Sequence, residues 1–244
     1  IMASNSETGH AKNIANLKTF NTTARGLGLI YNPSNDQIEL TKLELIYDSG
    51  FNDQNKVNTS EAPYSTAVGE REGLFDNFKK ELAKIHRIYK STKEVTPKQV
   101  EDLLTIIRKY RGVRKIPKSK SQDPEEQAKY HSVSQTSYDV RTNTMDTLIA
   151  FLENTPNYEP NEVEFQVATL RNKMQQMLNA TDLVSQTFTA LNTARSNRNN
   201  TLYFNNNNLV DTANTARNYT LGILNKNQPE YKVINKLIFK KIIS

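Results

Sequence analysis

A chain of 244 residues with 36% hydrophobic content and a mean hydropathy of −0.69 is polar for a globular protein, yet not so depleted that it would be disordered throughout. Its lack of cysteine excludes disulfides, thiolate nucleophiles and cysteine-ligated metals. Eight glycines and eight prolines argue for long helices over a many-turned β fold, and the net charge of +6 permits an anionic partner without requiring one.

The opening IMASNSETGH is polar. It lacks the apolar core of a secretory signal, and no run in the chain reaches transmembrane length, so a soluble, cytoplasmic protein is expected. Ile1 before Met2 reads as a processing remnant. Glu7-Thr8-Gly9-His10 has the Glu-x-x-His spacing of bundle di-iron sites, but that chemistry needs a second copy and none exists. The segment therefore reads as a solvated turn. Ile14, Leu17, Phe20, Ala24 and Leu27 then trace a short helix ending near Gly26 and Gly28.

YNPSNDQIELTKL follows from Tyr31, and a similar phrase, NYEPNEVEFQVATL, begins at Asn157. Tyr31, Pro33 and Leu43 match Tyr158, Pro160 and Leu170, all 127 positions apart. Ser34 with Gln37 and Asn161 with Glu164 fit capping boxes launching a long helix twice. In the first copy Tyr64, Val68, Arg71, Phe75, Phe78, Leu82, Ile85 and Tyr89 step by four and three. Gly50, Gln54 and Glu61 spoil the seam before them, and Pro63 follows, so a break or kink is expected between 50 and 63. Thr96-Pro97-Lys98-Gln99 is a further capping box, starting a short helix striped by Val100, Leu103, Leu104, Ile107 and Tyr110 and stopped at Gly112.

GVRKIPKSKSQD (112–123) reads as a basic linker. Asp123-Pro124-Glu125-Glu126 opens a helix running through Tyr138, Met145, Leu148 and Leu152 to Pro156. The second long helix, about 161 to 204, carries Val163, Val167, Leu170, Met174, Met177, Thr181, Val184, Phe188 and Leu191 in heptad steps, and is expected to be the more continuous of the two. NNNN (205–208) makes a turn, and Leu209, Ala213, Ala216 and Ile223 mark a weaker helix. The C-terminal QPEYKVINKLIFKKIIS is a short helix or an extended arm.

These signals define an all-α fold: an elongated bundle of two similar halves, each short helix, long helix, short helix, with coiled-coil-like packing. The halves are 1–112 and 124–225, joined by the 113–123 linker and followed by a 226–244 tail. They are expected to pack as one bundle, with two separate three-helix domains as the alternative.

Chemistry is sparse. His86 and His131 lack a paired carboxylate and read as surface or satisfied side chains. No phosphate loop or nucleophile elbow occurs, so neither a catalytic nor a metal site is assigned, no cofactor is expected, and the chain reads as non-enzymatic. Arg71 and Arg198 fall at equivalent seam positions, as inward cations for an anion or as side chains leaving a seam that is ending. Arg108, Lys109, Arg111, Arg114, Lys115, Lys118 and Lys120 form a basic run that could contact nucleic-acid phosphates or stay solvated. Tyr110 is the sole aromatic within it, which leaves it without stacking platforms. In the tail, Ile234, Leu237, Phe239, Lys240 and Lys241 could meet a partner or an anionic membrane surface, or cover the chain's own bundle.

The Tyr-x-Pro turns and the repeated Ala-x-x-x-Arg element (Ala67 to Arg71, Ala194 to Arg198) resemble duplicated all-helical proteins of Bacteroidota with no known activity. The resemblance implies a cytoplasmic bacterial helical protein and carries over no functional residue. The function expected is a structural or protein-interaction bundle that self-associates or holds partners. The alternative is nucleic-acid association through 108–120, and a membrane surface is not expected as a partner.

Overall fold

The computed structural model describes residues 9–113 and 137–242, and every regular element among them is helical. The chain is therefore all-α, as its composition implies. In order come α1 (His10–Gly26), α2 (Leu40–Ser91), α3 (Pro97–Arg111), α4 (Tyr138–Glu153), α5 (Val167–Asn199), α6 (Leu209–Ile223) and α7 (Pro229–Asn235). No helix among the described residues is long and apolar enough to cross a membrane. Glu7, His131, most of the 112–123 segment and the expected helix start at Asp123 lie outside the described residues.

Local chemistry sets most of the boundaries. Thr96 and Gln99 form the reciprocal capping box, Pro97 occupies the first turn of α3, and Gly112 ends it in the left-handed conformation at φ 68°. Without a Cβ, glycine takes that backbone state at little cost. Asn208 caps α6 by accepting from the Asp211 amide at 3.0 Å.

The long helices start differently from the capping-box reading. Asn35, not Ser34, accepts from the Gln37 amide, and Asp36–Ile38 forms a 3₁₀ turn before α2 begins at Leu40. In the second phrase Val163–Phe165 is the 3₁₀ turn, with no side-chain cap from Glu162, and α5 begins at Val167. A tyrosine fastens each turn. The Tyr31 hydroxyl donates to the Ile38 carbonyl at 2.6 Å, and the Tyr158 hydroxyl to the Phe165 carbonyl at 3.1 Å. These buried carbonyls need a donor, and each tyrosine supplies one from seven residues upstream.

The expected break in α2 is absent. Gly50 is buried because neighbours fill its place: a Cβ there would stand 3.1 Å from a Leu209 methyl and 3.3 Å from a Leu202 methyl. Its lack of a side chain permits a close helix approach instead of spoiling the seam. Pro63 stays inside the helix on an exposed face. The Thr59 carbonyl that it leaves without a donor is on an exposed residue, where water can satisfy it. The second long helix is the interrupted one. Past Asn199 the backbone widens into a π turn over Asn200–Phe204, closed by the Asn205 amide on the Asn200 carbonyl at 2.9 Å. The expected Asn-rich turn follows, with Asn207 left-handed at φ 59°.

The described residues form two compact units. The first takes residues up to Tyr64 and those from Thr187 onward; the second runs from Ser65 to Gln186. In the first unit Ile14, Leu17 and Phe20 of α1 meet Leu43, Leu202, Leu209, Ala213, Ile234, Leu237 and Phe239. In the second, Phe75, Phe78, Leu82, Ile85 and Tyr89 of α2 pack with Leu103 and Ile107 of α3 and Met145, Leu148 and Leu152 of α4. Each such buried side chain contributes roughly 1.5–3 kcal/mol of transfer free energy.

Candidate functional site

The sequence-predicted cations do not form one group. In the second unit, Arg71 lies over the Tyr138 ring, 3.9 Å from its centroid, and its Nε is buried without a hydrogen-bond partner. Arg108 pairs with Glu101 at 2.8 Å, and Arg111 donates to the Lys79 carbonyl at 3.4 Å. With Lys109 they end α3, where the helix dipole favours cations. Arg114, Lys115, Lys118 and Lys120 lie outside the described residues. His86 is not a satisfied histidine: its Nε2 is buried without a partner.

Arg198 belongs to the first unit and is only 9% exposed. It neither leaves the seam nor makes an ion pair among the described residues. Its Nε and Nη2 donate to Asn199 Oδ1 at 3.1 and 2.9 Å. Burial, and then Arg195, push its pKa down, against the support of Tyr203 and Glu61.

Around Arg198 the π turn builds a polar cluster that the sequence reading missed. It turns Tyr203 inward, where the hydroxyl meets His10 Nδ1 at 2.8 Å and accepts from Asn13 Nδ2 at 3.4 Å. Thr201 on the same turn donates to Asp53 at 2.7 Å. His10 is thus half-buried and hydrogen-bonded, not part of a solvated turn. Burial and, second, Arg198 lower its pKa, while burial raises that of Tyr203. Both rings are neutral near pH 7, and the contact between them is a neutral hydrogen bond.

The same face of α1 holds the C-terminal segment. Beyond α7 the chain runs without regular structure from Leu237 to Ile242, and side chains of α1 and α6 hydrogen-bond its backbone. Asn13 bonds both polar groups of Lys240, donating to the carbonyl at 2.8 Å and accepting from the amide at 3.2 Å. Asn16 donates to the Ile238 carbonyl at 2.8 Å, and Asn214 to that of Phe239 at 3.4 Å. Arg217 donates to the carbonyls of Ile234 and Asn235 at 3.2 and 2.8 Å. Lys241 pairs with Asp211 at 2.6 Å, which together with Asn208 lowers the Asp211 pKa. Ile234, Leu237 and Phe239, read from sequence as possible partner contacts, are buried in the chain's own core. Their alternation with lysines marks an arm that seats itself, with its cations left at the rim.

One sequence signal could have revealed this cluster. Asn13 and Asn16 sit among Ile14, Leu17 and Phe20 on the apolar face of α1, where an amide needs a partner to be buried.

Comparison with protein-family models, with curated proteins and with solved structures finds no match to this chain.

Proposed function

We propose that this is a non-enzymatic interaction protein that self-associates through its first unit, built from a duplicated helical plan. The observation that carries the reading is the apolar surface of that unit. Leu29 is 99% exposed, and Ile30, Leu45, Phe51, Phe188 and Phe204 are also exposed in the same unit. Leu29 and Ile30 adjoin in the chain, and exposed apolar side chains that adjoin favour association over a solvated surface.

Two patterns support the duplicated, coiled-coil part of the reading. Leu43, Gly50 and Val57 of α2 are buried at seven-residue intervals, and so are Leu170, Met177, Val184 and Leu191 of α5. The two 3₁₀ turns, the two tyrosine bonds and the starts of α2 and α5 all recur 127 positions apart.

Light scattering across a concentration series tests the proposal. The expected result is a mass that rises with concentration and a weaker association for Leu29→Ser and Phe204→Ser. A monomer at every concentration for the unaltered chain would overturn it.

A further inference from the structure

We propose that α7 and the extended segment after it, residues 229–242, form an exchangeable arm, seated on α1 and α6 of a second copy as it seats on its own. This inference rests on the self-association reading and names the contact that makes it.

The groove recognises the arm mainly through the main chain. Asn13, Asn16, Asn214 and Arg217 bond backbone groups of five residues, Ile234, Asn235, Ile238, Phe239 and Lys240. The extended run after α7 has no neighbouring strand to satisfy its carbonyls, and the asparagine amides take the strand's place, while the Arg217 guanidinium satisfies the last carbonyls of α7. Leu237 and Phe239, two residues apart, supply the apolar anchors. The same segment of another molecule can form every one of these bonds equally well.

The connection fits exchange. The described hydrogen-bond and ion-pair partners of the arm lie on α1 and α6, both before the 224–228 turn, while the arm lies wholly after it. That turn is held by the Asn225 amide on Gln228 Oε1 at 2.7 Å and the Gln228 amide on the Asn225 carbonyl at 3.0 Å. Asn225, Lys226 and Asn227 are exposed. Opening the turn releases the arm without changing α1 or α6. Reseating the arm on a second copy re-forms the same hydrogen bonds and buries the same anchors. A terminal element on a short exposed hinge is the arrangement from which swapped dimers form.

The Asp211–Lys241 pair gives a direct readout, because a carbodiimide joins a carboxylate to an amine in contact with it. Two batches of the full chain, one with ¹⁵N, are mixed in urea, refolded together at several concentrations, treated with carbodiimide and digested. The expected result is an Asp211–Lys241 cross-linked peptide carrying one light and one heavy half, rising with concentration and absent in Lys241→Gln. Deleting Lys226 and Asn227 shortens the hinge and should raise the mixed species further. Oligomers by light scattering with only single-label cross-links would overturn the exchange and leave self-association standing. Monomers with only single-label cross-links would overturn both.

Discussion

The two units differ in how they bury polar side chains. In the second, the buried polar residues among the described ones are Thr142, Thr144 and Thr155. Each bonds the carbonyl four residues back on α4, Thr155 from two residues past its end, at 2.7 to 2.9 Å, and Thr155 also meets the Tyr89 hydroxyl at 3.0 Å. In the first unit they include Asn13, Asn16, Asn21 and Arg198. Asn13 and Asn16 find partners more than two hundred residues away in sequence. A locally satisfied threonine packs much like a valine and places little demand on the fold. An asparagine that must meet a distant carbonyl fixes the register of both segments, since a slip leaves buried amides unpaired. The second unit is thus held mainly by apolar volume and the first by volume plus a more extensive polar fit between distant segments.

The helices α1 and α4 show the contrast at single positions. Ile14, Asn16, Leu17, Phe20, Asn21 and Ala24 are buried on α1, and Thr142, Thr144, Met145, Leu148, Ile149 and Leu152 on α4, each 128 positions on. Ile149 is fully buried, while Asn21 in the matching place is buried with neither amide atom partnered.

Swapping these residues gives the largest effects. Ile149→Asn removes apolar volume and buries an orphan amide, and should cost about 4 kcal/mol in urea unfolding. Asn21→Ile should stabilise by about 1–3 kcal/mol, the desolvation cost of the unpaired amide. A loss of stability on Asn21→Ile would show that the amide has an essential bond. Gly50→Val should cost about 1–3 kcal/mol by overpacking against Leu209 and Leu202. The matching position in the second unit, Met177, already carries a large side chain.

Tyr31→Phe and Tyr158→Phe should each cost about 1 kcal/mol, so equal losses would mark the two turns as equivalent fasteners. Burial raises both tyrosine pKa values, that of Tyr158 to about 12. Their folded pKa lies above the ordinary value near 10, so their contribution is complete below pH 10 and is lost as pH rises through the folded values. Alkaline unfolding of the double Phe variant should lose part of that pH dependence.

The smallest effect separates the units by acid. The lowered pKa of His10 means that the folded state binds its proton less readily than the unfolded chain. Its contribution is present above about pH 6.5 and lost as pH falls through the lower folded value. Stability measured from pH 7.5 to 5 should fall less steeply in His10→Gln than in the unaltered chain. Identical slopes would remove His10 as the source.

Much of α3 was legible because its signals are local. Thr96, Pro97, Gln99 and Gly112 act within a turn of where they stand, and Leu103, Ile107 and Tyr110 mark its buried face. The launch turns were legible as turns but not in their bonding. Ser34 and Asn161 have the chemistry of caps, and only the packed positions of Tyr31 and Tyr158 show which bonds form. The cations of 108–111 were legible as part of a basic run, which the structure places at the end of α3, and Arg198 as a seam position that is buried; the Tyr203 contacts beside it follow from a π turn with no local signature.

The sequence by itself determined that the chain is helical, where α3 begins and ends and where α1 ends, and most of the apolar residues that point inward, because caps and periodicity act over a few residues; Val163, Phe188 and Ile223 hold seam or stripe positions and are nonetheless exposed. The tertiary structure decided the rest. Gly50 became a packing contact instead of a break because Leu202 and Leu209 fill the space beside it. The tail became part of a core instead of a free contact because Asn13, Asn16, Asn214 and Arg217, remote in sequence, meet its backbone. Such outcomes depend on what lies opposite a residue in space, which its own neighbours in the chain do not specify.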